Sequence, residues 1–209
     1  MKFSCTLLIS CLAFLSLINF PAMATEEPEF ILISQDGEFE IREYKPKIIA
    51  TVEVNGDFDD ASSQGFKLLA DYIFGNNLLD GSSKKISMTA PVEMAPLSEN
   101  LSITSSIMDD AINNQWLVNF IMPKEYRLDS LPKPNNPKVN IIEIPTEKYA
   151  VIVFSGLVRE SSYAEKVELL SNYLKRNNYT QQGAIKIARY NPPWTLPFLR
   201  KNELMVRID

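Results

Sequence analysis

The fold is decided by the stretch IIATVEVNGDFDDASSQGFKLLADYIFG, which spans residues 48–75. Its first part, Ile48–Val54, is rich in β-branched side chains and predicts a half-buried strand. Gly56 and Asp57 predict a turn. The acidic pair that follows suits the positive end of a helix dipole, so a helix is expected from about Asp59 to Phe74.

The same order of elements recurs about 100 residues later in the chain. A strand at Tyr149–Phe154 is followed by Gly156 and by a helix at about 161–176, and both helices carry a Leu-Leu-x-x-Tyr pattern. This repetition predicts two β-α-β units, with two helices against a largely antiparallel sheet or open barrel in an α+β architecture. The cleft between the units is then the natural place for a ligand.

Short β-rich or alternating runs elsewhere predict the remaining strands. They lie at Phe30–Ile33, Phe39–Tyr44, Lys85–Val92, Leu101–Ile107, Trp116–Ile121, Asn140–Ile144, Ala184–Tyr190 and Glu203–Ile208. A proline-rich connector, Leu131–Lys138, is expected to form a stiff surface link between the two halves.

Residues 1–24 are typical of a cleaved signal peptide, in which an apolar run of about 15 residues precedes the small-x-small pattern that ends at Ala24. The run is short of the ~20 residues that span a bilayer. Cleavage would remove Cys5 and Cys11, leaving residues 25–209 as one exported domain without cysteine. Lipoprotein processing at Cys11 is the weaker alternative. We expect a periplasmic or secreted protein without stable membrane insertion.

The composition excludes several classes of function. The 209 residues include no histidine, which rules out Ser-His-Asp and Cys-His catalysis and histidine-ligated metals. A formal charge of −5 argues against a general nucleic-acid binder. An enzyme would have to rely on carboxylates or a recruited metal, so we expect a binding protein.

The first helix is apolar over more of its surface than packing on one sheet requires. Besides the stripe expected to face the sheet, a second stripe contains Phe58, Phe66, Ala70 and Ile73. The C-terminal segment could cover this second stripe as part of the core. Alternatively, the stripe forms one wall of a groove for a flat apolar ligand.

The segment Tyr190–Lys201 holds three prolines among its aromatic residues, so neither a helix nor an inner strand is expected. One interpretation is a rigid loop that presents Trp194 and Phe198 beside the basic Arg200. An apolar plate next to a cation suits a porphyrin with carboxylate substituents. The other interpretation is a lid that seals the core.

The chain resembles the SOUL / haem-binding-protein family. The matching segments are Phe39–Tyr44 with Ala50–Val52, Phe66-x-x-Leu69-x-x-Tyr72-Ile73-x-Gly75-x-Asn77, Lys85–Val92 (KISMTAPV), Phe120–Pro123, and Tyr190–Trp194 running to Arg200–Glu203. They are distributed over essentially the whole chain after residue 24.

The resemblance implies a distorted antiparallel β-barrel of two pseudo-symmetric β-α-β repeats with two flanking helices. It also implies non-catalytic binding of haem or other tetrapyrroles in a shallow groove along the first helix. Some members have a histidine, proposed as axial ligand, where this chain has Glu43. Basic residues proposed to meet the propionates in other members correspond here to Ser63 and Thr195, which are uncharged.

We therefore expect an exported protein that sequesters or carries haem through a hydrophobic groove, non-covalently and without a histidine ligand. Met88 is a candidate iron ligand, although a buried methionine that fills core space is the simpler interpretation. The alternative function is a module for another flat or extended hydrophobic ligand or a peptide, with haem binding lost. A monomer that binds no nucleic acid is expected. The candidate binding residues are Phe58, Ser63, Phe66, Ala70, Ile73, Met88, Trp194, Thr195 and Arg200.

Overall fold

A computed structural model describes residues 25–97 and 115–209. Its two helices are α1, Phe58–Ile73, and α2, Glu160–Arg176. Its strands are β1 Phe30–Asp36, β2 Phe39–Tyr44, β3 Lys47–Asn55, β4 Asn77–Leu78, β5 Val92–Pro96, β6 Gln115–Ile121, β7 Lys133–Pro134, β8 Asn140–Ile144, β9 Glu147–Phe154, β10 Gln181–Arg189 and β11 Asn202–Ile208. The strand predicted at Leu101–Ile107 lies outside the described residues.

Nine strands form one sheet in the order β1-β2-β9-β11-β10-β5-β6-β3-β8, and β4 and β7 form a separate pair. All neighbouring strands are antiparallel. The predicted α+β class with a large antiparallel sheet is confirmed. Among the described strands the sheet is open, with β1 and β8 as its edges, so a closed barrel is not confirmed.

Apart from β1 at one edge, the order of strands is symmetric about the contact between β5 and β10. Strands β2-β9-β11-β10 occupy one side and β8-β3-β6-β5 the other, so that β5 and β10 meet in the middle. Strand β2 therefore pairs with β9 of the C-terminal half, and β8 pairs with β3 of the N-terminal half.

Both helices cover the same face of the sheet, where the main apolar core lies. Helix α1 packs on β3 and β6, and α2 packs on β9 and β11. The side chain of Asp57 accepts hydrogen bonds from the amides of Asp59 and Asp60 at 3.1 and 2.9 Å, which caps the start of α1. At Gly65 the helix approaches β6 closely, since an added Cβ would lie 2.5 Å from the Cβ of Val118.

Two local predictions are wrong. Residues 85–91 are not a strand, because the Ala90 amide donates to the carbonyl of Glu26 and the Thr89 hydroxyl to that of Ile121. Pro91 has no N–H to contribute to a ladder. The connector 131–138 is more than a surface link, since Leu131 and Pro132 are buried and the Tyr72 hydroxyl donates to the Pro132 carbonyl at 2.8 Å.

The face of the sheet opposite the helices holds buried charges. The Glu93 carboxylate receives hydrogen bonds from Lys47 at 2.8 Å and from Lys186 at 3.0 Å. Burial by itself would raise the pKa of Glu93, but the two ammonium groups outweigh it and lower this pKa to about 2. On the same face Arg42 pairs with Glu203 at 3.1 Å. The sheet is therefore held by apolar packing on one face and by ionic pairs on the other.

Candidate functional site

The connection between β10 and β11, residues 190–201, forms an exposed apolar loop. Trp194 is 82% exposed and Phe198 is 70% exposed, and Leu196 and Leu199 are exposed beside them. The interpretation of this segment as a lid that seals the core is therefore wrong. The loop presents Trp194 and Phe198 to the outside, as the other interpretation predicts.

Arg200 holds this loop in shape. Its Nε donates to the carbonyl of Thr195 at 2.8 Å, and its Nη2 donates to the carbonyl of Pro193. The Gly156 amide donates to the carbonyl of Pro197 at 3.0 Å, which fixes the loop to the segment after β9. Thr195 thus contributes its backbone carbonyl, and both of these hydrogen-bond partners of Arg200 are neutral groups.

The start of α1 lies beside an aromatic cluster. Phe58 is half-buried, and its ring centroid lies 5.5 Å from that of Trp116 and 5.9 Å from that of Tyr163 in α2. The guanidinium carbon of Arg189 lies 4.8 Å from the centroid of the Phe58 ring. Phe58 therefore connects the two helices and carries a cation on one side.

Arg189 is a residue that the sequence interpretation missed. Burial lowers its pKa, the nearby Asp59 carboxylate raises it, and Arg200 lowers it further. Among the described residues its Nη2 is buried without a hydrogen-bond acceptor. The alternation of strand β10 could have revealed it. Ile185 and Ile187 face the core, and a period of two residues places Arg189 on the same face.

Beyond Phe58, the second stripe of α1 is exposed at Phe66 and buried at Ala70 and Ile73. Phe66 is 42% exposed and packs edge-on against Phe120 at 5.3 Å, whereas Ala70 and Ile73 are buried. The amide of Ile86 donates to the Ile73 carbonyl at 2.8 Å. The segment that begins at Ile86, rather than the C-terminal segment, therefore lies against this end of the stripe.

The predicted site residues fall into two groups. Phe58, at the start of α1, contacts Arg189, which directly precedes the loop that holds Thr195 and Arg200, while Ile73 and the half-buried Met88 lie near the end of the helix, where Met88 packs against the core. With 16 residues at about 1.5 Å each, the helix is roughly 24 Å long. Ser63 lies exposed on the helix between these two groups.

Position 43 also lies far from the apolar loop. Glu43 pairs in register with Lys148 near the start of β9, whereas Asn202, the first residue of β11, pairs with Phe154 at the end of β9. Six residues of extended chain separate these positions, which is about 20 Å. A side chain at position 43 does not reach a ligand held by the loop.

A cleft of about 770 Å³ lies beside the N-terminal segment, and its lining residue Glu27 pairs at 2.9 Å with Lys201 at the end of the apolar loop. Ile48, Ile121 and Met122 contribute apolar lining, and charged side chains surround them. Two of these, Lys45 and Lys124, pair with Glu29 at 2.6 and 3.2 Å. The cleft is thus near the end of α1 and shares none of its lining with the predicted site.

Within residues 25–97 and 115–209, no group of three acidic, cysteine or histidine side chains is placed to hold a metal ion. None of the helices described has both the length and the apolar character needed to cross a membrane.

Two helices on one face of a large antiparallel sheet that is open among the described strands define an α+β protein. The chain belongs to the SOUL heme-binding protein family, whose model matches residues 25–207. The resemblance noted from the sequence motifs is confirmed.

Curated relatives agree with this assignment. Over 171 residues the chain is 28% identical to Heme-binding protein 1 of Xenopus laevis, covering 79% of this chain and 81% of that protein. It is 30% identical over 178 residues to Heme-binding protein 2 of Homo sapiens, covering 81% and 78%.

Solved structures show the same fold at low sequence identity. The C-terminal domain of EcmrR matches with a TM-score of 0.59 at 10% identity, covering 82% of this chain and 96% of that domain. An uncharacterized conserved protein from Listeria innocua matches with a TM-score of 0.54 at 13% identity, covering 90% and 94%.

Proposed function

We propose that this protein binds haem or another tetrapyrrole non-covalently and without chemical turnover, on the surface formed by the start of α1 and the apolar loop. The observation that carries the proposal is the exposure of Trp194 and Phe198 beside a cation-bearing aromatic cluster. Membership of a family whose curated relatives are named heme-binding proteins supports the same ligand class. A protein that binds haem without changing it chemically would serve to sequester or carry it.

Apolar contact sets the scale of the expected affinity. An aromatic side chain offers about 200 Å², so covering half of the exposed part of Trp194 and Phe198 removes roughly 150 Å² from water. At ~25 cal/mol per Å² this contributes about 4 kcal/mol, and the covered ligand face contributes a similar amount. Association costs at least ~4 kcal/mol, so apolar contact alone corresponds to a Kd of about 1 mM.

Iron coordination by a histidine is not available to this chain, which has none. Glu43 lies about 20 Å from the loop along β9, and the side chain of Met88 packs against the core. We therefore propose that neither of them ligates the iron of a haem held by the loop, which leaves Trp194 and Phe198 to position the ring by contact.

Titration of the protein comprising residues 25–209 with haemin, followed at the Soret band, tests this function. A saturable shift is expected. Phe198→Ala should weaken binding about tenfold, because an exposed contact of one aromatic ring is removed. Phe74→Ala is the matched control, since Phe74 is 61% exposed but lies just after the end of α1.

Phe66→Asp reports how far the ligand extends along α1. Phe66 lies eight residues, or about 12 Å, from Phe58, and loss of binding on this substitution would extend the site along the helix. Absence of a saturable Soret shift in the unchanged protein would overturn the proposed function. Equal losses in Phe198→Ala and Phe74→Ala would overturn the location.

The alternative function is binding of another flat or extended hydrophobe or a peptide, with haem binding lost. It is favoured by the uncharged side chains at Ser63 and Thr195, where relatives were expected to place basic residues. Native mass spectrometry of the protein from its natural compartment distinguishes the two, because a bound tetrapyrrole adds a characteristic mass and absorbance.

We also propose that residues 1–24 are removed on export and that residues 25–209 act as a monomeric domain in the periplasm or the medium. The charge pattern and the Ala-Met-Ala sequence that ends at Ala24 support export. Intact-mass measurement of the mature protein, which should begin at Thr25, tests the cleavage.

The two halves are proposed to be a pseudo-twofold repeat. Gly56 and Gly156 follow β3 and β9 with φ of +137° and +111°. The carbonyl of Gly56 accepts a hydrogen bond from Trp116 in β6, and that of Gly156 accepts one from Asn202 in β11. Because β6 and β11 hold matching places in the sheet, these paired contacts support a duplicated unit.

A further inference from the structure

Arg189 differs from the other basic residues around the apolar loop in its lack of a partner. Arg200 donates to two loop carbonyls, and Lys201 pairs with Glu27 at 2.9 Å. The Nη2 of Arg189 is buried and, within the part of the chain that the structure describes, has no acceptor. A buried polar donor without an acceptor is costly, so it marks a position where a ligand group completes the bonding.

The charges around Arg189 favour an anion. The carboxylate that acts on it is that of Asp59, whose side chain is exposed on the first turn of α1. Arg200 adds a second positive charge whose hydrogen bonds go to neutral carbonyls. Two guanidinium groups thus lie near the apolar loop, and a guanidinium carries only hydrogen-bond donors, which suits an anionic acceptor.

The geometry of Arg189 suits a carboxylate. Its guanidinium lies over Phe58, with 4.8 Å between the guanidinium carbon and the ring centroid, and this contact helps to hold the group in position. A guanidinium presents two parallel N–H groups to a carboxylate, and such charge-assisted pairs are among the stronger hydrogen bonds in proteins. Strand β10 holds the residue rigidly, because Arg189 pairs with Val92 of β5 and Asn202 of β11.

We propose that Arg189 binds a carboxylate of the ligand, so that the site selects flat apolar molecules that carry an acidic side chain over neutral ones. This inference rests on the proposed function, and it assigns to Arg189 the ionic contact that Ser63 and Thr195 cannot make. The ionic contact with Arg189 also adds affinity to the weak binding that apolar contact with Trp194 and Phe198 provides.

The test compares haemin with haemin dimethyl ester, in which both carboxylates are neutral esters, by Soret titration from the same solvent stock. The unchanged protein is expected to bind haemin about tenfold to a hundredfold more tightly than the ester, as a charge-assisted hydrogen bond provides. Arg189→Met should bind both equally, at the affinity of the ester. Arg189→Lys retains the charge without the planar fork and should discriminate weakly.

Arg127→Met is the control, because Arg127 is exposed and lies beside the cleft near the end of α1. It should retain the full preference for haemin. Far-ultraviolet circular dichroism of each variant confirms folding, and Arg189→Lys provides a second measurement if Arg189→Met fails to fold.

The outcomes separate this inference from the proposed function. If the unchanged protein binds neither ligand, the proposed function fails and the inference with it. If haemin and its ester bind equally to the unchanged protein, or if Arg189→Met still prefers haemin, the inference is overturned while haem binding stands.

Discussion

Replacing Glu93 by glutamine should destabilise the fold in a way that depends on pH. Glu93 is buried between Lys47 and Lys186, and its pKa falls from an ordinary value of 4.5 to about 2 in the folded protein. A carboxylate whose pKa is lower in the folded state stabilises that state above pH 4.5, and the stabilisation is lost as the pH falls toward 2. A difference of about 2.5 pH units corresponds to about 3 kcal/mol.

This magnitude sets the expected result at each pH. At pH 7 the Glu93→Gln variant should be less stable by about 3 kcal/mol, since two buried ammonium groups lose their anion. At pH 3 the unchanged protein has already lost about 2 kcal/mol of this contribution, so the difference should shrink to about 1 kcal/mol. Other titrating groups change the free energy of unfolding of both proteins by the same amount, so their effects cancel when the two proteins are compared.

Urea unfolding at pH 7, 5, 4 and 3 measures these differences, with the fluorescence of the buried Trp116 as the signal. Glu53→Gln is the matched control, because Glu53 lies exposed on β3, and its effect should stay within ~0.5 kcal/mol. A difference between Glu93→Gln and the unchanged protein that does not vary with pH would refute the reasoning.

Three other substitutions test the packing of α1. Gly65→Ala should cost about 2 kcal/mol because its Cβ would lie 2.5 Å from Val118, and combining it with Val118→Ala should be less harmful than the two separate losses predict. Asp57→Ala should cost about 1 kcal/mol by removing the cap of the helix, whereas Asp57→Asn should cost much less. Tyr72→Phe should cost about 1 kcal/mol by leaving the Pro132 carbonyl without its donor. Urea unfolding measures all three, and unchanged midpoints would contradict the contacts described.

Local patterns predicted most of the helices and strands. The helix expected at about 59–74 spans Phe58–Ile73, and the strand at Asn140–Ile144 has the predicted bounds. Both succeed because apolar periodicity and capping residues act within a few residues. The segment 85–91 fails because its hydrogen bonds go to Glu26 and Ile121, which no local pattern reveals.

The candidate site was predicted less completely than the fold. Exposure of Trp194 follows from the prolines around it, since they prevent the loop from joining the sheet. The covered end of the second stripe depends on Ile86, which folds back on Ile73 from outside the helix. Arg189 becomes recognisable only when strand pairing brings it next to Phe58 and Arg200.

The exchange of edge strands between the halves has a consequence for how the chain folds. Among the described strands the hairpin of β1 and β2 pairs only with β9, which follows it by about 100 residues. Contacts between such distant segments form slowly, because a long loop must close before they stabilise anything. The N-terminal hairpin therefore completes its pairing only when the C-terminal half is available, an order of assembly that is compatible with the export proposed above.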